Sequence, residues 1–301
     1  MQQPSDFLAF SAPAKINLFL HIVGQRADGY HLLQTVFCLL DYADTLYLKL
    51  NHSGEIKRVN DVAGVPQADD LCVRAAKLLQ QHTQCQQGVE IFVEKNIPMG
   101  GGLGGGSSDA ATVLLALNRL WQLNLSRKEL MQLGLKLGAD VPFFIFGTNA
   151  WAEGVGEQLQ AIPLKECYYV VLTPNAHVST AQIFANKQLT KDTNPKIMSG
   201  FSRVANSSDE TCTQNLETGN IRTEFINDLE KVVCALYPDV ASCLAWLKQY
   251  GDARMSGSGA SVFLEVTSLK IAHKIFDMKP ENIRGFVAKG LNQHPLVSYA
   301  D

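Results

Sequence analysis

Pro98-Met-Gly-Gly-Gly-Leu-Gly-Gly-Gly-Ser-Ser-Asp109 is the most unusual stretch of the chain, and Ala110, Val113, Leu114, Leu117 and Trp121 follow it at helical spacing. Six glycines around Leu103, ending in Ser107-Ser108 at a helix start, can turn several backbone N–H groups into one concavity. Those donors, with the positive end of a helix behind them, suit a phosphate. The competing reading is a flexible linker, which is seldom fused to so apolar a helix. Two familiar glycine motifs do not fit. The GxxxxGK[ST] loop needs a lysine where Ser107 stands. The dinucleotide fingerprint belongs behind the first strand of a βαβ unit, not roughly a hundred residues into a chain.

Other residues could do chemistry beside that loop. Lys15 and Asn17 are two apart, so a strand presents them on one face. The lysine can neutralise a phosphoryl group or lower a hydroxyl pKa, and the asparagine can orient either; the alternative is a solvated strand face. Asp140 lies between Gly138-Ala139 and the apolar run Val141–Phe146. It fits a general base held against an apolar wall, but also the N-cap of a helix with Pro142 in its first turn. His31, after Gly29-Tyr30, reads a base edge or caps a turn. Gly257-Ser258-Gly259 is a second backbone-donor loop or a tight turn, with Ser256 and Ser258 adding hydroxyls.

The elements that must position these residues are legible as patterns. Ala14–Ile22 alternates as a strand, and Asp28-Gly29 signals a turn. Strands are predicted at Thr35–Leu40, Thr45–Leu50 and Val89–Val93, with a helix over Leu71–Gln81. Behind the glycine helix, Ser126 and Glu129 form a capping-box pattern, and Gly138 stops that second helix. Tyr168–Leu172 is a buried-strand pattern that opens a second domain. Helical spacing returns over Phe225–Tyr237 and Val240–Tyr250, Ser261–Val266 reads as a strand, and the last thirty residues are weakly patterned. Strands followed by helices favour an α+β fold over a doubly wound sheet.

At 301 residues two domains are expected, at 1–163 and 164–301, with a polar insertion at 187–220 read mainly as surface. The chain is 46% hydrophobic and 18% charged, with net charge −3, so no basic footprint for nucleic acid is present. The seven cysteines are odd in number and include no CxxC pair, which fits reduced thiols in a cytoplasm. No basic residue precedes Lys15, against a secretory signal, and no apolar run approaches a membrane span.

Three segments, Pro13-Ala-Lys-Ile-Asn-Leu18, Pro98–Ser108 and Met255–Ala260, resemble the three motifs of the galactokinase, homoserine kinase, mevalonate kinase and phosphomevalonate kinase superfamily. Asp28-Gly-Tyr-His-Leu-Leu-Gln-Thr and Leu137-Gly-Ala-Asp-Val-Pro-Phe-Phe narrow the resemblance to the branch acting on 4-diphosphocytidyl-2-C-methyl-D-erythritol. It runs from about residue 8 to 266 and is looser after 185. It implies a first domain like domain 2 of ribosomal protein S5 and a ferredoxin-like second domain. The implied reaction is phosphorylation of the substrate 2-hydroxyl by ATP, with Mg²⁺ carried by ATP rather than by protein ligands. Ser107 or Ser108 would be the contacts to the ion.

Residue by residue, the resemblance implies Asp140 as general base, assisted by Lys15, and ATP contacts from Pro98, Met99, Gly100, Gly101, Gly102, Leu103, Gly104, Gly105, Gly106, Ser107 and Ser108. Substrate contacts would come from Asn17, Tyr30, His31, Asp140 and Thr180, with Phe184 stacking on cytosine. Small molecules are then the partners, and a monomer or weak homodimer is expected. The family commonly has Asn-Leu near the adenine site, where this chain has Asp70-Leu71. A mevalonate or homoserine kinase, a non-catalytic nucleotide sensor and a nicotinamide oxidoreductase are the rival readings.

Overall fold

The alternation over Ala14–Ile22 is the centre of a longer strand, β1, Leu8–Gln25, in the computed structural model, which describes residues 6–205 and 224–301. The expected turn follows: Gly29, at φ +90°, donates its N–H to Arg26 O at 2.9 Å. The next two predicted strands are a single strand, β2, His31–Asn51, because β1 pairs antiparallel with it from Leu8↔Leu48 to Gln25↔His31. The pairing resumes on both sides of Asp41-Tyr42, where the alternation lapses and the β1–β2 register shifts.

The first half continues with β3 (Ile56–Arg58), α1 (Leu71–Thr83) and β4 (Gly88–Glu94). Then come α2 (Gly105–Leu120), α3 (Arg127–Leu135), α4 (Val141–Phe146), β5 (Ala150–Glu153) and β6 (Gln158–Ala161). The capping box at Ser126 and Glu129 forms as the sequence predicts. From Ser108 to Asn118 every residue of α2 is buried, so this is a central helix with no solvent face. It packs with α1, α3 and α4 on apolar residues of β1, β2 and β4, including Phe10, Leu46 and Ile91.

The second half contains β7 (Tyr168–Thr173), α5 (Thr180–Phe184), α6 (Met198–Ala205), α7 (Glu230–Leu236) and α8 (Pro238–Lys248). It ends with β8 (Arg254–Met255), β9 (Val262–Val266), α9 (Leu269–Asp277), β10 (Arg284–Leu291) and a 3-10 turn at Val297–Tyr299. Among the described residues the strand order is β3-β4-β2-β10-β7-β9-β8, with β1 and β5 also on β2 and β6 on β5. All pairings are antiparallel except β3 with β4, as an α+β chain requires. A third core joins the halves, with Ile16, Phe19 and Val36 packed among Tyr169, Phe263 and Phe286.

One alternative falls and three expectations need correction. The Lys15–Asn17 face is not solvated, since Lys15, Asn17 and His21 are 3%, 2% and 1% exposed. Only Glu230–Leu236 of the Phe225–Tyr237 segment is helical; Leu20 bridges Asn227, and the Asn227 amide donates to Met255 O and Gly257 O, tying this residue to β1 and to the 255–257 turn ahead of the helix. The 187–220 segment is not simply surface, because Leu189 and Phe201 are buried; its residues 206–220 lie outside the described residues. The weakly patterned end carries both α9 and β10. Gly285 interrupts the β10 pattern because a Cβ there would meet Val171 O at 2.2 Å.

Candidate active site

The glycine segment is a loop clamped between two strands and a helix. Gly104 is the N-cap of α2 at φ +73°, and a Cβ there would meet Phe144 Cζ at 2.8 Å and Lys15 Cγ at 3.0 Å. Gly102, also at φ +73°, lies so close to the 255–260 turn that a Cβ would meet Ser256 O at 2.3 Å. Both positions therefore require glycine. Ser256, fully buried, accepts from Asn17 N at 3.1 Å and donates to Gly102 O at 3.0 Å. One hydroxyl thus ties together the three segments singled out in the sequence. Two backbone bonds reinforce it, Lys15 N to Leu103 O at 2.9 Å and Ser261 N to Gly101 O at 3.1 Å.

Register shifts in the β1–β2 ladder at Pro13/Lys15 and Asn17/Leu20 bracket Lys15–Asn17. Such irregularities re-aim side chains out of the regular pleat. Lys15 Nζ donates to Asn17 Oδ1 at 2.6 Å and pairs with Asp140 Oδ2 at 3.3 Å, with the Phe37 ring 5.1 Å away. The Asn17 amide donates to Thr35 Oγ1 at 2.9 Å, and the Thr35 hydroxyl donates to Phe19 O. Asp140 stands at the N-cap position of α4, yet its side chain makes no capping bond. The carboxylate turns to Lys15 instead and stays one-third exposed. Capping does not explain this residue.

Two cavities adjoin here. The larger, about 870 Å³, has Lys15, Asn17 and Asp140 in its wall, together with Tyr30, His31 and Phe184. The smaller, about 400 Å³, is walled by Pro98 to Ser107, with Val62, Val65, Leu71 and Lys95 opposite. Gly100, Gly102, Gly104 and Ser107 line both, so the glycine loop is a shared wall. Ser108 lines neither and is fully buried.

In the larger cavity His31 and Phe184 are stacked, centroids 5.0 Å apart at 28°. His31 Nε2 has no hydrogen-bond partner among the described residues, and burial, with help from the Lys191 charge, holds the imidazole pKa below its usual value. Thr180 Oγ1 lies 2.7 Å from Ser258 Oγ, while Tyr30 is 65% exposed at the mouth. In the smaller cavity Lys95 Nζ pairs with the Asp44 carboxylate and, at 2.7 Å, with Asp109 Oδ2. Asp109 Oδ1 is buried without a partner among the described residues.

The residues quoted from the sequence thus converge, Ser108 excepted. Sequence reasoning missed Thr35, Phe37, Lys95, Asp109 and Lys191. Thr35 and Phe37 were findable, because they alternate on the strand paired with Lys15–Asn17; Lys191 lay in a segment read as surface. Among the described residues no three His, Cys, Asp or Glu side chains gather to hold a metal ion. Ser107 and the Asp140 carboxylate are oxygen donors in the wall of the larger cavity, which fits an ion held mostly by phosphate oxygens and water.

A glycine loop between two cavities, with a lysine–aspartate pair beside it, defines a small-molecule kinase of the GHMP class. The family description "GHMP kinases N terminal domain" matches residues 70–148, and "GHMP kinases C terminal" matches 212–281. The chain is 52% identical to a 4-diphosphocytidyl-2-C-methyl-D-erythritol kinase of Nitrosospira multiformis, over 98% of this chain and 95% of that protein. A crystal structure of 4-(cytidine 5'-diphospho)-2C-methyl-D-erythritol kinase is 31% identical, covers 94% of this chain and 99% of its own, and superposes with a TM-score of 0.78. A mevalonate kinase shares the fold at 18% identity, covering 95% and 99%, with a TM-score of 0.68. The chain belongs to the family of 4-diphosphocytidyl-2-C-methyl-D-erythritol kinases.

Proposed function

We infer that this enzyme transfers the γ-phosphoryl group of ATP to the 2-hydroxyl of 4-diphosphocytidyl-2-C-methyl-D-erythritol, a step toward isoprenoid precursors outside the mevalonate route. The observation that carries the reading is the shared wall: donor and acceptor cavities meet along Gly100, Gly102, Gly104 and Ser107, with Lys15 and Asp140 in the acceptor wall. ATP occupies the smaller cavity with its phosphates against the glycine amides. The alcohol substrate occupies the larger one, its cytosine against the outer faces of the His31–Phe184 pair and Tyr30 at the mouth.

Asp140 accepts the hydroxyl proton as the new oxygen–phosphorus bond forms. The bond from the γ-phosphorus to the bridging oxygen breaks, and ADP leaves with that electron pair. Lys15, held by Asn17 and Asp140, supplies positive charge where the transferring group becomes more anionic. The Ser107 hydroxyl, in the wall of both cavities, would be a protein contact for an Mg²⁺ ion carried with ATP, which would supply charge neutralisation of the phosphate oxygens. Thr35 fixes the Asn17 amide, so the lysine sits in one place. Lys191, which makes no ion pair among the described residues, brings positive charge to the His31 side of the larger cavity, where it can face the diphosphate that links the cytidine to the erythritol.

No helix among the described residues is long and apolar enough to cross a membrane. We place the enzyme in the cytoplasm, as a monomer or weak homodimer acting on small molecules. The test is an ADP-release assay with the cytidine alcohol, mevalonate and homoserine as alternative acceptors. Turnover is expected with the first alone. Asp140→Asn, which keeps the Lys15 contact but cannot take a proton, should lower kcat by about 10²–10⁴ with the fold intact. Wild-type turnover in a folded Asn variant refutes the base assignment.

A further inference from the structure

Residues 59–70, between β3 and α1, have no helix or strand of their own, yet Val62, Val65, Asp69 and Asp70 wall the smaller cavity. A loop that shapes a ligand site needs something to fix its backbone. Arg58, the last residue of β3 and 8% exposed, supplies it. Its Nε donates to Asn60 O at 2.8 Å, its Nη2 to Val65 O at 2.8 Å, and its Nη1 to the Asp70 carboxylate. The start, middle and end of the loop are thus held by one planar fork, which a lysine cannot reproduce.

Both oxygens of the Asp70 carboxylate are held by the protein. One oxygen accepts from Cys72 N at 2.7 Å and Val73 N at 3.4 Å as the α1 cap, and the other faces Arg58. With phosphates at the glycine loop, the purine lies toward Val62, Val65, Leu71 and Met99, an apolar wall whose first half is the loop Arg58 holds. An asparagine at position 70 would cap α1 equally well but would leave the guanidinium without its anion. Asp70 is therefore the partner of Arg58.

We propose that Arg58 is a positioning residue for ATP, holding residues 59–70 as the wall against which the purine rests without touching the nucleotide. The inference rests on reading the smaller cavity as the nucleotide site. It predicts a dissociation between stability and ATP affinity. Arg58→Leu strands the buried Asp70 charge, so both the melting temperature and ATP affinity fall. Arg58→Leu with Asp70→Asn removes the stranded charge and recovers most of the melting temperature. Its KM for ATP stays raised about fivefold or more, while kcat and the KM for the alcohol stay within about twofold.

Arg58→Lys keeps a cation beside Asp70 but gives up the fork, and serves as the milder variant if the leucine proteins do not fold. Its KM for ATP is expected to rise, with the melting temperature falling less than in Arg58→Leu because Asp70 keeps a cation beside it. Wild-type KM for ATP in either the double variant or Arg58→Lys overturns the proposal, as does an equal rise in the KM of both substrates. Gly106→Val, measured alongside, separates the two failures. If it too leaves the KM for ATP unchanged, the nucleotide is not in this cavity and the underlying reading falls; if it raises the KM, only the role of Arg58 falls.

Discussion

Asp109 is the residue whose chemistry the sequence hides most completely, since in the chain it only ends a glycine-rich run. In the structure it is 4% exposed beside Lys95, with Asp44 on the same lysine and the buried Cys72 close by. Burial pushes its carboxyl up to about 7, against the pull of Lys95, and the Asp44 charge adds to the rise. The unfolded chain releases this proton near 3.8, so between about 4 and about 7 the folded protein holds a proton that the unfolded one has lost. The stabilisation from holding it is complete below about 4 and is lost as pH rises to about 7. Asp109→Asn has no such proton. The stability of wild type relative to this variant should therefore decline steadily across that window, read as denaturant midpoints from pH 4 to 7.5; parallel profiles would contradict it. Lys15, Asn17 and Asp140 were legible because their spacing and neighbours are local facts. Asp109 was not, because its environment is made by Asp44 of β2, far upstream in the chain, and by Lys95.

At the scale of elements, the glycine loop and α2 form one device, and its glycines have different reasons to exist. A Cβ on Gly105 would meet Ile97 at 3.1 Å and the Asp44 carboxylate at 3.4 Å, so packing against the protein excludes it. A Cβ on Gly106 would meet only Leu71 Cδ1 at 3.4 Å, on the side facing the smaller cavity. Gly106→Val should therefore fold, by circular dichroism, and weaken ATP about tenfold or more in calorimetric titration while leaving adenosine much less affected. Equal affinity for ATP in wild type and variant would mean that the phosphates do not lie there. The start of this helix, the Ser126 capping box and the β1 alternation could be read directly, since caps and periodicity act over a few residues. The fusion of two expected strands into β2, the non-helical path before Glu230 and the strand β10 could not. Each is imposed by a partner far away in the chain: β1 on β2, Asn227 on the 255–257 turn, and Val171 against Gly285.

Across the whole molecule, the chain ends by returning to its first half. Arg127 donates to Ile145 O at 2.6 Å and to the carbonyls of Val297 and Ala300, His294 N donates to Gly147 O at 2.8 Å, and Leu296 and Ala300 join the first core. The last turn thereby braces α4, whose first residue follows Asp140. Arg127→Met leaves three carbonyls without this donor and should cost about 2 kcal/mol or more, seen as a lower urea midpoint. An unchanged midpoint would show that the tail is held by its apolar residues alone. β2 has a parallel role at larger scale. It carries β1 along its length, β4 and β5 on separate stretches, and β10 through Leu39 and Leu40, so both halves hang on one strand. A jaw needs a flexible joint, and here the joint is occupied by the pairing of β10 with β2 at Leu39 and Leu40, backed by a buried apolar seam that includes Phe19, Tyr169, Phe263 and Phe286. Parting the halves would wet that seam. Ligand traffic is therefore a matter of rims rather than jaws, and crowding agents or viscosity should alter entry and exit only as far as the short segments at the two mouths feel them.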